Sequence, residues 1–393
     1  MKIAIVALSF LGLVYCKKAD VEPENNTPVL RSDAPSLLST TTFNVSPATN
    51  FNSTFWSNVQ TALASGPVDV IFANGTYTRT ATLTLSNIGD DANLLTLKTA
   101  SVPGGAVFNG SIAKLMNVNL CKNVKLQGLK FTGAATGYAL TIVRSQDIAV
   151  EECIFTDLPD VGYGALGVHY ETTNRVLVRN NTFARVGYDS HAHMIYGAYG
   201  IQRLSVVGNS FTDCSGSFVR FRGNLSSKGV VYDNDFTSTG TYLTGINPVF
   251  IEIPVFNDVD PGDERMGTQF MITKNTFTYA TAGSQATRYA VVFHHTGFNP
   301  PDRTHLISAA DAATLNSGTV TQKRTIMSAQ LGLDGNEIHF GGNTNSNVQY
   351  NVLYRCWNGY GSSGPWAGIA SIGTAVNASG LATTELAAIN YYP

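Results

Sequence analysis

One short pattern recurs along this chain and restricts what it can fold into. Alternating apolar residues lead into Asn-x-Phe and then a polar turn. VLVRNNTF ends at Phe183, LSVVGNSF at Phe211, VVYDNDF at Phe236 and FMITKNTF at Phe277. Looser copies are VKLQGLKF ending at Phe131, IAVEECIF ending at Phe155 and VQYNVL ending at Leu353. From Phe131 to Phe277 the phenylalanines are separated by 24, 28, 28, 25 and 41 residues. Periods of that size mark stacked repeats, in which each unit buries its apolar face only against its neighbours. Each period holds two or three short strands, and helix-length apolar periodicity is scarce.

The Asn two residues before each Phe explains how the units stack. Asn181, Asn209, Asn234, Asn275 and Asn351 are expected at one corner, with Cys153 taking that place in its own coil. Paired strands lie about 4.8 Å apart. At that spacing side-chain amides can bond to one another and to turn carbonyls, forming a ladder. The phenylalanines would stack beside it as an aromatic column in the core. A β-sandwich would need hairpin turns at shorter spacing, and none is in register. The expected fold is therefore all-β, a single-stranded right-handed parallel β-helix (solenoid) over residues 41–393, with an insertion near 300–345 that breaks the repeat. An amphipathic stretch around Asn58 to Ala64 would supply an N-terminal cap, which keeps the open sheet end from pairing with other chains.

Composition agrees with a turn-rich β-protein. Only 13% of the residues are charged, against roughly 25% in ordinary soluble proteins. A formal net charge of -2 provides no bulk attraction for nucleic acid, and a monomer is expected. Cys121, Cys153, Cys214 and Cys356 show no CxxC or Cys/His spacing, so no structural zinc is assigned.

The first residues read differently from the rest. Lys2 precedes an apolar run from Ile3 to Tyr15, the length of a signal-peptide core and too short to span a bilayer. Cys16 follows at once, with Leu13 three residues before it. This resembles a lipobox, although Tyr15 stands where a small residue is usual, and relaxed lipoboxes of this kind are similar to those of Bacteroidota. The resemblance implies a signal peptide over 1–15 and acylation of Cys16. The protein would then be lipid-anchored in the cell envelope, at the outer membrane or in the periplasm, or secreted. Residues 16–40, with Pro23, Pro28 and Pro35 and no apolar period, read as a tether.

Two further segments carry a family resemblance. VDVIFANGTYT (Val68 to Thr78) and LLTLKTASVPGGAVFNG (Leu94 to Gly110) resemble the opening coils of the pectate lyase and pectin lyase-like superfamily. With the Asn-x-Phe coils, the resemblance covers about Thr41 to Leu353. It implies the β-helix fold and leaves function open among lyases, hydrolases, esterases and adhesins.

Enzymes of that fold work on the outer face of one parallel sheet, and strand alternation tells which side chains point there. In Ser217 to Arg222, Val219 and Phe221 face the core while Arg220 and Arg222 face out. The same parity turns His169, Glu252 and His294 outward, and both His191 and His193 if Ala192 and Met194 pack. A row of ionisable groups in so uncharged a protein suggests a groove for an acidic polysaccharide. Breaking a uronic-acid glycoside by β-elimination requires a partner for the carboxylate, a base for the adjacent C–H and a donor for the leaving oxygen. Arginine clamps carboxylates with two hydrogen bonds, and histidine moves protons. The expected assignment gives catalysis to His193, Arg220, Arg222 and Glu252, and substrate binding to His169, His191 and His294.

Relatives implied by the resemblance use Arg or Lys as base, commonly with Ca2+ on the carboxylate. Here only Asp258, Asp260, Asp263 and Glu264 form a dense acidic run, which reads equally as a calcium loop or a solvated turn. A glycoside hydrolase would need a second carboxyl group beside Glu252, from Asp213 or Asp233. A non-catalytic glycan-binding or adhesion protein would need only the groove.

The anchor is directly testable. Cys16→Ser should release the protein from the membrane fraction, because one residue would carry all acylation. A variant that still sediments with membranes, with unchanged electrophoretic mobility, would overturn the lipoprotein assignment.

Overall fold

The computed structural model describes residues 39–223 without a break. Beyond them it describes 226, 228–242, 248–255, 267, 270–280, 288–296, 338–348, 350–357 and 372–376, with isolated positions between 310 and 322. The segment expected to be a signal peptide, Cys16, most of the expected tether, the acidic run from Asp258 to Glu264 and most of the expected insertion lie outside the described residues.

The chain winds through three sheets, visiting each once per coil. The first sheet runs from Thr41–Val45 through Val68–Phe72 and Leu95–Thr99 to Ile338–Gly341 and has 10 strands. The second begins at Gly75–Thr78, ends at Thr344–Ser346 and has 9. The third begins at Leu83–Ser86 and has 10, of which Ile372–Val376 pairs antiparallel with Tyr350–Trp357. The coil-to-coil pairings are parallel, and the crossovers take the right-handed sense that strand twist favours. The expected single-stranded β-helix is thus the fold.

One helix, Ser53–Leu63, caps the start and buries Trp56, Val59 and Leu63. It begins earlier than the apolar pattern suggested, because the Asn52 side chain accepts the Phe55 N–H at 3.0 Å and satisfies an orphan helix donor. The Gln60 amide then bonds the backbone of Gly89, fastening the helix to the next coil.

Inside, the aromatic column is continuous. Tyr77, Phe108, Phe131, Phe155, Phe183, Phe211, Phe236 and Phe277 stack with centroids 4.7–5.5 Å apart, one ring per coil. Column spacing matches strand spacing, so ring contact and backbone pairing reinforce each other.

At the corner between the first and second sheets stands the asparagine ladder. The Asn181, Asn209 and Asn234 amides each donate 2.9 Å bonds to the next Asn Oδ1, which also accepts that residue's backbone N–H. Each also donates to a carbonyl of the preceding coil, those of Val150, Val178 and Val206. Cys153 opens the ladder by donating its N–H to Asn181 Oδ1. The residue before each rung is left-handed: Glu152 (φ 55°), Asn180 (φ 56°), Asp233 (φ 56°) and Lys274 (φ 58°), with Gly208 and Gly342 at the equivalent places. For a residue with a Cβ this costs roughly 1–2 kcal/mol, which the bonded rung offsets.

Two expectations need correction here. The last rung among the described residues is Asn343, bonded to Asn275 at 3.1 Å. Asn351 lies instead on Tyr350–Trp357 of the third sheet. The solenoid has therefore resumed by Ile338, inside the stretch assigned to the insertion, since Ile338–Gly341 and Thr344–Ser346 pair in register with Phe270–Thr273 and Thr276–Tyr279.

Asn209→Leu should leave the Asn181 backbone N–H without its acceptor and remove the side-chain donor to the Val178 carbonyl. We expect a destabilisation of about 1–3 kcal/mol for each buried group left unpaired, read from thermal or denaturant unfolding. An unchanged midpoint would show that the ladder contributes nothing.

Candidate functional site

The third sheet does not alternate strictly. Phe218 and Val219 are both buried in the core, as are Met194 and Ile195, and Phe250 and Ile251. One doubled core position per strand makes the first, fourth and sixth residues of each coil point outward. In Ser217–Arg222 these are Ser217, Arg220 and Arg222; in His193–Ala198 they are His193, Tyr196 and Ala198. Register then forms three columns. Tyr138, Gly164 and His193 share one; Gly167, Tyr196, Arg220 and Glu252 the second; His169, Ala198 and Arg222 the third.

The second column meets the first through a run of hydrogen bonds closed by an ion pair. Arg220 Nη1 donates to His193 Nε2 at 2.6 Å. A guanidinium cannot accept, so His193 is neutral and carries its proton on Nδ1. That proton goes to Ser217 Oγ at 2.8 Å, and the Ser217 hydroxyl donates to Glu252 Oε2 at 3.0 Å. Glu252 Oε2 in turn lies 3.4 Å from Arg220 Nε. Burial first, then the Arg220 charge, holds the His193 imidazole well below its ordinary pKa. His193 is wholly buried with both nitrogens engaged. The expectation that it meets substrate is corrected: with no nitrogen left free, it is placed to hold Arg220 from the preceding coil.

Tyr196 joins the two arginines. Its hydroxyl accepts from Arg222 Nη1 at 3.3 Å, and the Arg220 guanidinium lies 5.3 Å from its ring centroid.

His169 is ringed by tyrosines. Its imidazole lies edge-on to Tyr138 at 5.1 Å, Tyr196 at 5.6 Å, Tyr199 at 5.7 Å and Tyr170 at 6.4 Å. Burial, and then the Lys114 charge, push its pKa down to about 4. Its Nε2 is buried without a hydrogen-bond partner, which costs free energy unless something supplies one. Gly167 makes this packing possible, since a Cβ there would lie 2.8 Å from the Tyr138 ring and 2.9 Å from the His169 ring.

The remaining expected residues lie apart. His191 is exposed in the turn before the strand, its N–H bonded to Asp189 Oδ1 at 2.8 Å. Ala192 and Met194 are packed and His191 faces solvent as expected, but it joins no column because the strand begins only at His193. His294 lies on Tyr289–Thr296, aligned with Pro254 and Arg355, and its side chain is outside the described residues. Asp213 belongs to the second sheet and accepts the Thr239 N–H and hydroxyl at 2.8 and 2.7 Å. Asp233 occupies a left-handed corner position, so neither aspartate sits on the third sheet with Glu252. Among the described residues no three His, Cys, Asp or Glu side chains are grouped to hold a metal, and no helix is long and apolar enough to cross a membrane.

Sequence reasoning passed over the tyrosines. Tyr138, Tyr163, Tyr196 and Tyr199 recur beside glycine in GYAL, GYGAL and IYGAY, near the same place in successive coils. That recurrence was the available signal.

No protein-family model matches the chain, and no curated protein matches it significantly. Among solved structures, it is similar to an alginate lyase from Paenibacillus sp. str. FPU-7, at 14% identity and a TM-score of 0.44, over 80% of this chain and 97% of that one. A Family 28 exopolygalacturonase of Yersinia enterocolitica aligns at 10% identity and a TM-score of 0.37, over 82% and 79%. A mannuronic acid specific polysaccharide family 6 lyase from human gut microbiota aligns at 13% and 0.26, over 66% and 82%. Overlaps of this size carry no information on activity.

Proposed function

We propose that the outer face of the third sheet is a polysaccharide site, and that its chemistry is β-elimination on a uronate-containing polymer. The observation that carries the reading is the fixed pair of arginines. Arg220 is oriented by His193 and Glu252, and Arg222 by Tyr196. Two cations on adjacent outward positions favour an anion between them. Guanidinium groups hold carboxylates in a two-pronged geometry, and pairing the uronate carboxylate makes its neighbouring C–H more acidic.

Two neighbouring groups can then move protons. His169, neutral at ordinary pH, takes the proton from that carbon once the tyrosine rings that cover its Nε2 in the resting structure move aside. The electrons of the broken C–H bond form the new carbon–carbon double bond, the glycosidic C–O bond breaks, and the Tyr196 hydroxyl protonates the leaving oxygen. The tyrosine rings around His169 provide apolar faces for sugar rings. The commitment of Asp213 to Thr239 weighs against a paired-carboxylate hydrolase. The lipid anchor at Cys16 would place this activity in the cell envelope.

Incubation with a panel of uronate polymers tests the reading. Growth of the ultraviolet absorbance of unsaturated ends is the expected result. New reducing ends without that absorbance would mean hydrolysis, and binding without either would mean adhesion; both overturn the lyase assignment. Arg222→Ala should weaken binding of acidic oligosaccharides more than neutral ones, and Arg222→Lys should not restore it, since an ammonium lacks the fork. His193→Ala should lower kcat by about 10², the scale of a misplaced catalytic contact, with a smaller effect on KM. Wild-type kinetics in that variant would remove His193 from the site.

A further inference from the structure

A chain of ring contacts crosses the third sheet beside the two arginines. Tyr163 stacks on Tyr138 at 5.6 Å, Tyr138 meets His169 at 5.1 Å, and His169 meets Tyr199 and Tyr170, which stack on each other at 5.5 Å. Tyr163 precedes the strand Gly164–His169 and Tyr170 follows it, so the path runs along the strand direction from one edge of the sheet to the other. Its two end residues are the most open: Tyr163 is 57% and Tyr170 39% exposed.

Each end also has a cation. Arg144 lies with its guanidinium 4.4 Å from the Tyr170 ring centroid. Lys114 aligns with Tyr138 one coil earlier. Exposed stacked aromatics cost hydration without a partner. A pyranose has an apolar C–H face that covers such a ring, and a uronate adds a carboxylate for the neighbouring cation.

We infer that an acidic oligosaccharide lies along the strands over His169, with separate sugar residues seated at Tyr138/Tyr163 and at Tyr170/Tyr199 and the carboxylate of the unit between them turned toward Arg222, whose strand lies two coils on. The inference rests on the reading of this face as a polyuronate site, and extends it by naming two end subsites and the direction of the polymer. The chain of rings carries it, together with the unpartnered His169 nitrogen buried among those rings.

Affinity measured by titration calorimetry against dimers, tetramers and hexamers of mannuronate and galacturonate tests it on the full chain. Affinity should rise with length. Tyr163→Ala and Tyr170→Ala should each weaken the hexamer by about three- to tenfold, the scale of one lost aromatic contact, and the dimer by less. Tyr170→Phe, which keeps the ring, should bind as the parent does, and thermal melts exclude misfolding as the cause. Arg144→Gln should weaken the hexamer at low salt more than at high salt. If the tyrosine variants bind hexamer like the parent while Arg222→Ala does not, the transverse path is wrong and the arginine site stands. If the parent binds none of these oligomers, both readings fall.

Discussion

From Asn181 to Asn343 one side-chain amide per coil sets the height at which successive coils of this solenoid stand. The Asn Oδ1 accepts two donors from the preceding rung, and its Nδ2 bridges the next rung and a carbonyl of the coil before. A buried amide saturated in this way cannot slip by one residue without stranding several polar groups, each at a cost of about 1–3 kcal/mol. That penalty makes the left-handed residues before the rungs tolerable. It also fixes the register of the first sheet directly and of the other two by chain length.

Fixed register has a chemical consequence on the third sheet. Because coils cannot slide, Tyr196, Arg220 and Glu252 are held in one column, with His193 and Ser217 beside them. The arginine is oriented by neighbours on the coils before and after it, each anchored in the same core. Side chains carried by strands of a stiff scaffold need little further ordering to meet a ligand. Glycine has a part in this. Gly167 leaves room for the Tyr138 and His169 rings to lie over the sheet, at a position where neighbouring coils carry Tyr196 and Arg220.

The fold was largely legible before any coordinates. The Asn-x-Phe period named the ladder from Asn181 to Asn275 and the aromatic column. It failed at the last rung because Asn345 stands where the other coils have Phe, and because VQYNVL imitates the motif on a strand of a different sheet. In the site, counting parity back from the end of each strand turned Arg220, Arg222, Glu252 and His169 outward correctly. His191 also faces solvent, as that parity expected, but it stands in the turn before His193–Ala198 and so outside the columns of the sheet. The tyrosines escaped notice because an aromatic residue in a β-protein reads as core by default, and only its neighbours on other coils reveal a surface role.

The sequence by itself determined the period, the polar corner and the parity of each strand. Those depend on residues close together along the chain, through backbone geometry, rotamer size and the side-chain repeat of a strand. Only the tertiary structure decided which outward residues meet. Partners across this sheet are separated by more than twenty residues, and their alignment depends on loop lengths that vary from coil to coil. That alignment buries His193 against Arg220, brings Tyr196 into contact with two guanidinium groups, and leaves one nitrogen of His169 buried without a partner.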